Sequence, residues 1–69
     1  MKNKIEELRN SQNLTQEDFA TLMQVSRQTI SSLENGKYNP SIFLAYKISK
    51  FFNLSIEDVF IFEENSEEK

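Results

Sequence analysis

One glycine, Gly36, and one proline, Pro40, punctuate the whole 69-residue chain. A β-rich fold of this length needs turn residues at intervals of about ten positions, so the scarcity points to helices joined by short polar breaks. No Cys is present, which excludes disulfides and thiolate metal sites, and no His is present to act as an imidazole ligand or general base. A domain this small buries roughly 60% of the surface its unfolded chain exposes. Regular helix packing and association with a partner subunit remain as sources of stability.

Helical spacing and capping residues divide the chain into five segments. Ile5, Leu8 and Leu14 recur at helical spacing, which predicts a first helix from about Lys4 to Gln12, ended by Asn13. Thr15 with Asp18 three residues later reads as a capping box. It opens a second helix over about Gln16–Met23, whose apolar residues are Phe19, Ala20, Leu22 and Met23. Ser26 caps a third helix, about Arg27–Asn35, with Ile30 and Leu33 turned inward and Gly36 as its stop. Ser41 caps a fourth, about Ile42–Phe52. Its Leu44, Ala45, Ile48, Phe51 and Phe52 form one broad apolar face, and Asn53 ends it. Ser55 caps a short fifth helix, Ile56 to about Val59. Val59, Phe60, Ile61 and Phe62 then alternate like a strand.

The formal charge of −3 is unevenly spread. Residues 1–50 hold seven Lys and Arg against five Asp and Glu, while residues 51–69 hold one Lys against six acids. A net +2 body with an acidic far end is compatible with a polyanionic partner, although net charge alone does not favour one. The organisation expected is one domain over 1–62 and an acidic disordered tail over 63–69.

The third segment carries the functional signal. Arg27, Gln28, Ser31 and Ser32 face away from Ile30 and Leu33. A surface helix built for stability would carry Glu, Lys and Ala there. Arg can pair bidentately with guanine, Gln with adenine, and Ser can donate or accept, so these four are candidate base readers. A nine-residue helix is about 13 Å long and fits a major groove about 12 Å wide.

The run TQEDFATLMQVSRQTISSLENGKYNPS resembles the helix-turn-helix core of the phage repressor, Cro and xenobiotic-response-element family. The similarity extends from about Ile5 to Phe60 and includes SIEDVF near the end. Compact stand-alone bacterial regulators of the cytolysin repressor type look most similar. The resemblance implies an all-α, five-helix lambda-repressor-like DNA-binding domain, here with a short C-terminal strand. It implies that Gln16 grips a phosphate and braces the recognition helix, and that Ser26 and Thr29 touch phosphates or thymine methyls. It also implies that Asn35, Lys37, Tyr38 and Asn39 contact the DNA backbone, and that Arg9 and Glu34 form an internal ion pair.

The aromatic residues exceed what a five-helix core of this size should absorb. Phe43, Phe51, Val59, Phe60, Ile61 and Phe62, with Tyr46 nearby, are therefore candidates for a homodimer interface. The 59–62 strand is expected to pair with Met1–Lys4 or with its two-fold mate.

Together these features predict a sequence-specific transcriptional regulator, a repressor reading palindromic double-stranded DNA as a homodimer. The alternative is an antitoxin-type interaction module on the same fold. An enzyme is not expected, for want of a nucleophile motif or phosphate loop. Glu17-Asp18 and Glu57-Asp58 sit at helix starts, where the helix dipole accounts for them. No cofactor, metal or small-molecule ligand is expected. No apolar run approaches the roughly 18 residues of a membrane span, and the first ten residues lack a signal-peptide core, which makes the cytoplasm the default compartment.

Overall fold

Short polar side chains set where the helices begin. In the computed structural model, which describes residues 2–62, the order is β1 (Lys2–Asn3), α1 (Ile5–Ser11), α2 (Gln16–Met23), α3 (Arg27–Glu34), α4 (Ile42–Phe51), α5 (Ile56–Val59) and β2 (Phe60–Ile61). Thr15, Ser26, Ser41 and Ser55 each lie in extended backbone and accept the amide three residues on, satisfying an amide that has no partner within the helix. Thr15 with Asp18 and Ser55 with Asp58 close reciprocal capping boxes. For α1 the role falls to Asn3, whose Oδ1 accepts the Ile5 amide at 3.1 Å. The expected helices over 4–12, 27–35 and 42–52 are each slightly shorter in the structure. Gln12, Asn35 and Phe52 serve as C-caps instead.

The helix ends repeat one device. Leu14 N bonds Arg9 O while Asn13 N bonds Asn10 O; Val25 with Ala20 and Gln24 with Thr21 do the same. So do Lys37 with Ser32 and Gly36 with Leu33, and Leu54 with Ser49 and Asn53 with Lys50. These are Schellman pairs, and each turns on a left-handed residue: Asn13, Gln24, Gly36 and Asn53. Asn and Gly tolerate that conformation; Gln24 carries the Cβ penalty.

Chain reversals at these points pack the helices around Ile5, Phe19, Ile30, Leu33, Ile48, Val59 and Phe60, all nearly inaccessible to solvent. Phe19 sits between Phe51 (ring centroids 5.6 Å) and Phe52 (5.4 Å), and the latter two meet edge-on at 5.0 Å. Edge and tilted contacts of this kind add about 0.5–1.5 kcal/mol per pair beyond area burial. Leu22, an apolar position of α2, is half exposed rather than core.

The C-terminal segment closes on its own chain. Lys2 pairs with Ile61 and Asn3 with Phe60 in an antiparallel ribbon, and Lys4 N bonds Val59 O at 2.8 Å. Of the two partners the sequence left open for this strand, it takes the N-terminal segment. That pairing drives Val59 and Phe60 inward, and the ring cluster absorbs Phe51. Within the protomer Val59 and Phe60 are fully buried, and Phe51 is half-buried against the core. Phe43, Ile61 and Phe62 remain exposed, together with Ile42 and Tyr46. The tail expected over 63–69 lies outside the described residues. Among the described residues no helix is long and apolar enough to cross a membrane.

Candidate nucleic-acid interface

α3 has two unlike faces. Ile30 and Leu33 are fully buried, while Arg27 and Gln28 at its first turn are exposed and Ser31 and Ser32 are half-buried. Eight residues give a rod about 12 Å long, comparable to the width of a major groove. The first turn therefore offers the longest and freest side chains, and the two serines lie further back against the body.

Ser26 and Thr29 form a closed polar unit at the start of α3. Ser26 Oγ accepts the Thr29 amide at 3.1 Å and lies 2.8 Å from Thr29 Oγ1. Two hydroxyl protons are present and one is used between the pair, so the other is left for an outside acceptor such as a phosphate oxygen. Ser26 is therefore a cap first, with a donor to spare within the unit.

Gln16 and Glu34 tie three helices together. Arg9 Nε donates to Glu34 Oε2 at 2.7 Å and Arg9 Nη2 to Oε1 at 3.2 Å. Gln16 Nε2 donates to the same Oε1 at 3.0 Å, and Arg9 Nη1 also reaches the Leu14 carbonyl at 2.7 Å. A carboxylate can only accept, so the Gln16 amide must present its nitrogen to Glu34. That nitrogen carries a second hydrogen that the bond to Glu34 does not use. The hydrogen bond to Glu34 holds the Arg9 guanidinium above its ordinary pKa. Burial pulls it down, and Coulomb attraction from Glu34 and Glu6 adds to the rise. Arg9 and Glu34 thus serve as a brace.

Beyond α3, Asn35, Lys37, Tyr38 and Asn39 are all exposed on a loop whose first turn is fixed by the Gly36 and Lys37 amides bonding back to Leu33 and Ser32. Exposed donors therefore flank α3, with Arg27 and Gln28 at its start and Asn35, Lys37, Tyr38 and Asn39 beyond its end. Two further tethers hold α3 and its preceding turn, and neither was anticipated from the sequence. Asn3 Nδ2 donates to the Leu33 carbonyl at 2.8 Å, and Lys47 Nζ donates to the Met23 carbonyl at 3.0 Å at the C-terminus of α2. A polar residue just ahead of an apolar helix start was the available signal for Asn3. A long-range lysine–carbonyl contact leaves none. Among the described residues no group of three or more His, Cys, Asp or Glu could hold a metal ion.

Comparison with known proteins agrees with this geometry. Residues 5–59 match the Helix-turn-helix family. An uncharacterized HTH-type transcriptional regulator of Methanocaldococcus jannaschii is 57% identical over 65 residues, covering 94% of this chain and 98% of that protein. Another from Bacillus subtilis is 46% identical over 66 residues, covering 96% and 100%. The relatives thus include archaeal as well as bacterial proteins. The crystal structure of the restriction-modification controller protein C.AhdI from Aeromonas hydrophila is similar with a TM-score of 0.70 at 25% identity, covering 80% of this chain and 83% of that one.

Proposed function

The chain belongs to the helix-turn-helix family of DNA-binding transcriptional regulators, and from that premise we propose that it represses transcription by reading a palindromic operator as a homodimer. The carrying observation is the two-faced α3. Its inner residues are fixed in the core while Arg27 and Gln28 stand free at its leading end. Arg27, Gln28, Ser31 and Ser32 read base edges, with Arg27 suited to guanine and Gln28 to adenine. Gln16, Ser26, Thr29, Asn35, Lys37, Tyr38 and Asn39 set register on the phosphates. The protein acts by binding and not by catalysis, needs no cofactor, and works in the cytoplasm.

Dimerisation follows from two considerations. One eight-residue helix with few cations offers little contact for specific affinity, and a two-fold pair spaced about 34 Å apart reads twice as many bases. The surface favouring it is the apolar patch of α4 and β2: Ile42 (69% exposed), Phe43 (81%), Tyr46, Ile61 and Phe62. Monomers seldom leave such a patch in water.

The test compares Arg27→Ala with Lys37→Ala on the operator and on random duplex. Arg27→Ala costs about 1–3 kcal/mol on the operator alone, and Lys37→Ala weakens both duplexes alike. Equal losses for Arg27→Ala on both duplexes would remove it from the base-reading set.

A further inference from the structure

Asn3 uses both ends of one side-chain amide. Its Oδ1 accepts the Ile5 amide at 3.1 Å, and its Nδ2 donates to the Leu33 carbonyl at 2.8 Å in the last turn of α3. The partners fix which end is which, because a backbone N–H only donates and a carbonyl only accepts. We infer that Asn3 is a positioning residue for DNA reading: it fastens the end of α3 to the β1–β2 ribbon and so sets the angle at which Arg27 and Gln28 meet the bases. The inference rests on the proposed reading of DNA by α3. It adds a residue that lies outside the family match over 5–59.

Three observations carry it. First, Asn3 acts on the main chain of α3. The Arg9–Glu34 pair grips the same end through two long side chains, whose rotations leave the helix some freedom to swing. A bond to the Leu33 carbonyl holds the backbone itself. Second, the strand that does the holding is anchored. Asn3 pairs with the fully buried Phe60, and the Lys4 amide bonds the Val59 carbonyl at 2.8 Å. The end of α3 is thus attached to α1 by one link and to β1 by another, and together they oppose a rotation that either alone permits. Third, α3 is short. Its eight residues make a rod about 12 Å long, and a tilt of about 10° moves one end by about 2 Å relative to the other. Hydrogen bonds to base edges hold over a spread of about 0.5 Å, so the angle of the rod decides whether Arg27 and Gln28 reach them.

A competing role for Asn3 is to cap α1, which would move stability alone. Asn3→Asp and Asn3→Ser separate the two roles. Both keep a good capping acceptor for the Ile5 amide, and neither presents a donor at the position of Nδ2. The experiment measures the affinity of the full-chain wild type and of both variants for the selected operator and for random duplex, at a temperature where circular dichroism shows all three folded. The expected result is a fall of roughly tenfold in the operator-to-random ratio for both variants, the scale of one hydrogen bond's net contribution. An unchanged ratio, with or without a lower melting temperature, overturns the inference and leaves Asn3 as a cap. A ratio that falls for Asn3→Asp and not for Asn3→Ser assigns the effect to the added charge and overturns it equally. A wild type that selects no operator sinks the DNA-reading proposal itself, a result seen without any variant and so distinguishable from the other two.

Discussion

Arg9 of α1 and Glu34 of α3 meet with Nε and Oε2 2.7 Å apart, their side chains only 9% and 4% exposed. The pair joins the first helix to the end of α3, and Gln16 of α2 shares the carboxylate at 3.0 Å. The position of α3 is therefore fixed by a charged contact as well as by Ile30 and Leu33.

Removing one member of a buried pair leaves the other charge without its counterion, at a cost of about 3–5 kcal/mol. A domain of this size has roughly 3–10 kcal/mol in total. Glu34→Ala is accordingly expected to be largely unfolded or close to it in urea titration. Arg9→Met/Glu34→Leu should recover part of the loss and no more, because Gln16 and the Leu14 carbonyl remain without their partners. The pH dependence has a definite sign. The Arg9 pKa is raised in the fold, chiefly by its hydrogen bond to Glu34. Its contribution is therefore complete below the unfolded guanidinium pKa and lost only as pH rises through the higher folded value. Titration of Arg9 leaves the urea midpoint flat from neutrality through moderately alkaline pH.

The Gln24 backbone is left-handed (φ 63°) at the turn between α2 and α3. A side chain there costs about 1 kcal/mol relative to glycine. Gln24→Gly is expected to raise stability by about that amount while leaving DNA preference unchanged. The substitution removes a weak 3.5 Å approach of Lys47 Nζ to Gln24 Oε1, and Lys47 keeps its shorter bond to the Met23 carbonyl. A drop in the melting temperature would show that the Lys47–Gln24 approach outweighs the backbone strain.

Ser49 is 2% exposed, and its Oγ has no hydrogen-bond partner among the described residues. A buried unpaired hydroxyl costs about 1–3 kcal/mol, and alanine is also the better helix former. Ser49→Ala should raise the melting temperature, by about 4–8 °C for each kcal/mol gained. A lowered temperature would mean that the hydroxyl is satisfied in solution.

Phe43, 81% exposed, contributes little to the fold of the protomer. Phe43→Lys is predicted to keep the helical circular dichroism and the urea midpoint of an isolated protomer. It should shift the sedimentation equilibrium mass from dimer to monomer at micromolar concentration and weaken operator binding. A monomeric wild type under the same conditions would refute the dimer.

Much of this fold is legible locally. Thr15, Ser26, Ser41 and Ser55 are readable as caps because the hydroxyl and the amide it takes are three residues apart in sequence. Asn13, Gly36 and Asn53 are readable as stops because their side chains suit a left-handed turn. Gln24 is not readable, since nothing in glutamine favours that conformation and the short α2–α3 connection imposes it. The allocation of aromatics is also opaque. Whether Phe51, Val59 and Phe60 face inward depends on β2 pairing with Lys2–Asn3 and on the Phe19 cluster, both long-range. Arg27 and Gln28 stand out by type, on a helix face where stability alone would favour other residues. The Arg9–Glu34 pair spans 25 positions and was indicated only by family resemblance.

The most direct test of the account is selection of bound sequences from a random duplex pool, run in parallel with the wild type and with Arg27→Ala/Gln28→Ala. The account predicts a palindromic consensus with half-sites about one helical turn apart, lost or relaxed in the double variant while salt-sensitive binding persists. Absence of a consensus with the wild type, or the same consensus from both proteins, would contradict the assignment of α3 as the reader.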